Sequence, residues 1–270
     1  MEMDQLIYLY GLIPTPAAAQ KSFPSFQGFD GESELYTIPI NNVTAVVCRL
    51  DPDEYSEETI KEKIDNDMEW LQGKAFHHHE TMVKLYKEYP VIPLKFCTIY
   101  KNEQSMYDKI QASEEKIEQT FESLEGNEEW NLKIYCDDEK LKHDVSKNNY
   151  EIEAKKKEIS ALTPGRRFFE MKKIDELVEE ELEKEKNRVC EKLHEKLKEF
   201  SVKAEIKRNW SRDITGLKEN MAWNSVFLLP VAKVDSFLDE VKRLEKERGQ
   251  NGWRFEASGP WPAYHFSSFS

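Results

Sequence analysis

The strongest constraint on the fold is a long helical region, Asp138 to Glu199, set between two runs with a two-residue period. Trp130 to Cys136 alternates, putting Trp130, Leu132, Ile134 and Cys136 on one face of a strand. Val202 to Trp210 alternates again, with Val202, Ala204, Ile206 and Arg208 on one side. The helical region between them is interrupted at Thr163-Pro164-Gly165, where proline and glycine break the pattern. Trp223 to Leu229 then reads as a strand, Val231 to Arg248 as a helix closed by Gly249, and Trp253 to Ala257 as a final strand. The order is β-α-β-β-α-β, the split βαβ arrangement of ferredoxin-like domains. Its first crossover is far longer than that arrangement requires, so extra helices are inserted there.

The first half reads as a separate α+β domain. Leu6 to Leu12 is a short strand ended by Pro14 and Pro16, and a Pro/Gly/Ser/Phe-rich loop follows to Gly31, with Phe23, Phe26 and Phe29 tucked inward. Leu35 to Ile40 and Val43 to Leu50 flank Asn41-Asn42, a hairpin signal because asparagine tolerates positive φ. A helix starts at Ser56, where acids crowd the first turn, and a second runs from Met68 to Tyr89 until Pro90 stops it. Val91 to Tyr100 reads as a strand and Ser105 to Leu124 as a helix stopped by Gly126. These patterns predict two α+β domains: 1–126, and 127–270 with inserted helices at about 138–199 and an aromatic tail.

Composition narrows the function classes. A net charge of −13 argues against a nucleic-acid groove, which needs a basic face, and against docking on anionic lipid. No apolar run approaches the ~18 residues of a spanning helix. With no basic leader segment before Leu6, a cytoplasmic protein is expected. Cys48, Cys97, Cys136 and Cys190 are far apart, which suits buried free thiols better than a zinc or disulfide framework.

His77-His78-His79 invites a metal reading. Adjacent helical residues point about 100° apart, so three in a row do not converge on one ion. Surface histidines, or one hydrogen-bonded in the core, are expected. No nucleophile elbow, Walker A loop or dinucleotide fingerprint is present, so no cofactor is expected, and the Asp51 to Glu58 acids read as helix starts. An enzyme with an unrecognised carboxylate site stays as an alternative. From Glu170 to Phe200, Ile174, Leu177, Val178, Leu182, Val189, Cys190, Leu193, Leu197 and Phe200 form one apolar stripe. The stripe covers the helix's own sheet, or serves a self-associating scaffold. Glu185 and Lys186 interrupt it, which weakens a coiled-coil seam.

The chain closes with Gly259-Pro260-Trp261-Pro262-Ala263-Tyr264-His265-Phe266. Two prolines bar a central strand, while Trp261, Tyr264 and Phe266 would expose large apolar areas in water. The segment therefore either clasps the protein's own body or binds a partner, and Phe23, Phe26 and Phe29 are candidates for the same two roles.

Several segments together resemble the gas vesicle protein F/L family. They are the opening LIYLYGL, Trp70-Leu71 followed by His79-Glu80, VIPLKF at Val91 to Phe96, and Glu129-Trp130 with Lys133. PGRRFFEMK from Pro164, Asn224 before the Val226 to Leu229 strand, and the closing GPWPAYHF continue the match. Cys97 departs from it, standing where the family typically has glycine; a side chain there implies an ordinary β conformation. Lys95, where arginine is common, keeps the charge but loses the bidentate fork. The resemblance implies two α+β domains, the second a modified ferredoxin-like fold with a helical extension. It also implies a non-enzymatic accessory protein that binds the hydrophobic major shell protein, with other gas vesicle accessory proteins as further partners. Such a protein assists nucleation or assembly of the vesicle as a minor component or chaperone-like factor.

Overall fold

The computed structural model describes residues 5–267. Contacts divide the chain into two compact units, Met1–Glu129 with Pro260–Ser270, and Trp130–Gly259. Each holds one sheet of a mixed α and β, two-sheet antiparallel fold.

In the first unit, β1 (Leu6–Pro14) is the central strand, followed by a short helix α1 (Thr15–Ala19). β2 (Tyr36–Ile40) and β3 (Val43–Leu50) form the expected hairpin, and Asn41 takes φ 51° in its turn. The sheet order is β2-β3-β1-β4, with β4 (Ile92–Pro93) and β5 (Ile99–Tyr100) both pairing with β1. Helices α2 (Pro52–Tyr55), α3 (Glu57–Asn66) and α4 (Met68–Glu88) follow β3. Asp51, Ser56 and Asp67 cap them by accepting the N–H groups of Asp53, Thr59 and Trp70. The acidic run is therefore a set of helix starts.

Strand β1 is buried along almost its whole length because both faces are covered. Tyr8, Tyr10 and Ile13 face the core that holds Met82 and Leu85 of α4. Ile7, Leu9 and Leu12 face Met106, Ile110 and Ile117 of α5 (Glu103–Gln111) and α6 (Glu114–Leu124). A bulge between Leu9 and Gly11 shifts the alternation by one residue, which is why Ile13 joins the tyrosines and Leu12 the leucine. Gly11 is needed there, because a Cβ would lie 3.0 Å from the Ile92 carbonyl oxygen and from Val91 Cγ2.

Three expectations fail in this unit. The single strand over Val91 to Tyr100 is broken into β4 and β5 by a turn that follows Leu94. The Lys95 carbonyl accepts both the N–H and the hydroxyl of Thr98, at 3.1 and 2.7 Å. Cys97 in that turn takes φ 61°, the left-handed region, so its side chain does not enforce an ordinary β conformation. The helix over Ser105 to Leu124 is likewise two helices, divided at Ala112-Ser113.

In the second unit the sheet order is β7-β8-β6-β9. β6 spans Asn127–Cys136, β7 Lys203–Ile206, β8 Asn220–Pro230 and β9 Trp253–Trp261. The long crossover contains α7 (Asp138–Asn148), α8 (Tyr150–Ser160) and α9 (Pro164–Lys198). A short helix α10 (Arg212–Thr215) precedes β8, and α11 (Val231–Arg248) follows it. Leu132, Ile134 and Cys136 of β6 and Phe227 and Leu229 of β8 pack against Leu182 to Leu197 of α9 and against Phe237, Val241 and Leu244 of α11. The α9 stripe is thus covered by its own unit, and its first part meets Ile152 and Ile159 of α8. β9 runs past Ala257 through Pro260, which an edge strand tolerates because one side of its backbone needs no ladder donors.

Candidate functional site

Three consecutive histidines lie within α4, and each meets a different tyrosine. His77 Nε2 is 3.0 Å from the Tyr10 hydroxyl, His78 Nδ1 2.8 Å from that of Tyr8, and His79 Nδ1 3.0 Å from that of Tyr264. Helical rotation fans the rings apart, and the two-residue strand period puts Tyr8 and Tyr10 on one face of β1 to receive two of them. Tyr8 Oη accepts the Cys97 N–H at 3.2 Å, leaving its own proton for His78 Nδ1. Burial pushes the His78 pKa down to about 4, so its ring is neutral at ordinary pH. Burial, with Lys74 and Lys84 nearby, also lowers His77. Among the described residues no group of three or more His, Cys, Asp or Glu side chains is placed to hold a metal ion.

The tail supplies the third tyrosine and a second anchor. The Trp261 and Tyr264 rings lie 5.6 and 5.9 Å from the His79 ring. Ala263, Phe266 and Ser267 are buried. The Glu129 carboxylate, 1% exposed, accepts the His265 N–H at 2.9 Å and pairs with His265 Nδ1 at 2.8 Å. A buried carboxylate needs such donors, and one tail residue supplies both.

The phenylalanine loop is drawn into the same core. Phe29 stacks on Tyr8 at 4.2 Å and meets Tyr55, Trp70 and Phe96. Phe23 stacks on Tyr89 at 6.2 Å and touches Phe26 edge-on. Phe23, Phe26, Phe29 and Tyr264 thus share one cluster, with Trp261 held beside His79 and Phe266 buried. Sequence reading named these six residues but missed Tyr8, Tyr10, Glu129 and the linking role of His79 and His265. No local signal could have found these pairings, because the partners stand 67 to 185 positions apart.

Little in this arrangement suits covalent chemistry. All four cysteines are free thiols, three of them buried. Burial pushes Cys48 and Cys97 up to about 11 and Cys190 to about 12, which keeps them protonated and weakly nucleophilic at neutral pH. Among the described residues, no helix is long and apolar enough to cross a membrane.

Residues 6–268 match the family described as gas vesicle synthesis protein GvpL/GvpF. The chain belongs to that family. The fold is similar to the crystal structure of gas vesicle protein GvpF from Anabaena sp. PCC7120, at 18% identity and a TM-score of 0.73, over 98% of this chain and 99% of that one. It is also similar to gas vesicle protein GvpF from Microcystis aeruginosa, at 16% identity and a TM-score of 0.66, over 98% of this chain and 100% of that one. No curated protein matches the sequence. GvpL/GvpF membership implies a role in gas vesicle formation.

Proposed function

We propose that this protein binds the small hydrophobic major shell protein of the gas vesicle, covers its apolar surface and assists nucleation and assembly of the wall. It works in the cytoplasm and at the growing vesicle, by binding and not by catalysis, alongside other gas vesicle accessory proteins. The family match over 6–268 carries this reading. We read the second unit as a ferredoxin-like domain with α7 to α9 inserted in its first crossover, a reading supported by its strand order. We place the domain boundary near Gly126, with the tail reaching back to the first domain.

In this reading Trp261, Tyr264, Phe266, Phe23, Phe26 and Phe29 are an internal clasp, because their surfaces are largely spent on neighbours in the first unit. The shell subunit instead meets the open edge of β7. Among the described residues this strand pairs with β8 alone, and its own Ile206 with Val202, Trp210 and Ile214 beside it are 58, 56, 41 and 69% exposed. An open edge with flanking apolar residues accepts an added strand.

A pulldown with purified shell protein tests this. Wild-type protein should retain it, and Val202→Lys/Ile206→Lys should lower retention at least tenfold with an unchanged melting midpoint. No retention by the wild type in dilute and crowded buffers alike would defeat the proposal.

A further inference from the structure

The hairpin of α8 and α9 ends in a surface that the shell-binding reading does not use. Ile152, Ile159 and Ile174 join these helices, with Val145, Leu177 and Val178 alongside. Toward the start of α9 the covering stops, and every residue from Ala161 to Phe169 is exposed. Phe168 and Phe169 are 73 and 69% exposed, with rings edge-on to each other at 5.9 Å. Adjacent aromatics left in water on a highly charged helix mark a contact surface.

The charge around them is opposite to that of the chain. Residues 155–173 carry seven cations and two carboxylates, a net of +5 in a chain of net −13, which leaves −18 for the rest. Lys173 pairs with Glu170 at 2.7 Å, but neither Arg166 nor Arg167 forms an ion pair among the described residues. A cavity of about 420 Å³ beside them is lined by Ile159, Leu162 and Phe169 together with Arg166, Glu158 and Glu170.

We propose that this tip docks an acidic amphipathic helix of a partner protein. An apolar side chain of that helix enters the cavity against Leu162 and Phe169, and its flanking carboxylates pair with Arg166 and Arg167. A helix suits the site because its apolar stripe and its carboxylates recur at three- and four-residue spacing, as the tip's own groups do. Two copies of the tip would bring like charges together, which disfavours self-docking. An anionic bilayer would attract the tip but repel a remainder of −18.

The test places the photo-crosslinking residue benzoylphenylalanine at position 168 of the full chain, in cells forming gas vesicles, and sequences the adducts. The expected adduct is a partner segment of net negative charge with helical apolar spacing. Arg166→Glu/Arg167→Glu should cut its yield at least tenfold while leaving the melting midpoint and shell-protein retention unchanged. A lipid adduct, an adduct to a second copy of this chain, an undiminished yield in the charge-reversed variant, or no adduct would each overturn the proposal. Val202→Lys/Ile206→Lys keeps the two readings separable: it should lower shell retention at least tenfold and leave the tip adduct intact.

Discussion

His78 couples the stability of the first unit to pH. Its folded pKa is about 4 against an ordinary 6.5, so the unfolded chain binds the proton first as pH falls. Above pH 6.5 the ring is neutral in both states and contributes no slope. Between 6.5 and 4 stability drains away, by on the order of 3 kcal/mol in total. Urea midpoints measured across that range should fall with pH in the wild type and flatten in His78→Gln, whose amide can still accept the Tyr8 proton. A His78→Gln profile as steep as the wild type's would move the effect to His77 or His194, which burial also lowers. None of the tyrosine partners was legible in the sequence. Tyr8 and His78 are 70 positions apart, and His79 and Tyr264 are 185 apart, so no local period connects them. The left-handed Cys97 was hidden for a related reason, since its conformation is set by the turn that Thr98 closes on Lys95.

At the level of elements, α9 carries a cost that its stripe does not announce. Lys186, which breaks the apolar pattern, is buried and reaches Asp138 at 2.9 Å and Glu183 at 2.7 Å. Burial opposes its charge, yet the hydrogen bonds to Glu183 and Asp138 win and raise its pKa. Asp138, in turn, is held below the usual carboxylate range against the cost of burial, chiefly by Lys186. Lys186→Met should therefore cost about 3 kcal/mol, because Asp138 keeps a half-buried charge without its cation. Lys186→Met/Asp138→Asn should recover much of that loss in the same denaturant titration. Elements with a clean period, such as β3, α4 and α11, were read within a few residues. The failures fall where a turn interrupts an otherwise continuous pattern: at Lys95 to Thr98 in the broken strand and at Ala112-Ser113 in the divided helix. The extent of β7 also escaped, because an edge strand that buries little leaves a faint alternation.

Across the whole molecule, the tail decides how the first unit is closed. Trp261→Ala removes the ring beside His79 and should lower stability by about 1–2 kcal/mol, since Trp261 is only partly buried. Shell-protein retention at matched folded concentration should not change. A normal melting midpoint with lost retention would make the tail a contact surface after all. GPWPAYHF marked the family from sequence alone, but its anchors on Glu129 and His79 needed coordinates.

The first unit is also discontinuous: residues up to Glu129 wait for Pro260 onward, and all of Trp130–Gly259 lies between. On the ribosome, α4 and the start of β6 therefore emerge long before their closing partner exists. Glu129 lacks the His265 donors, and His79 lacks the Tyr264 hydroxyl, until the segment from Pro260 has left the exit tunnel. A nascent chain stalled before Pro260 would hold an unsealed first unit, so the whole intervening unit is made before the first can close.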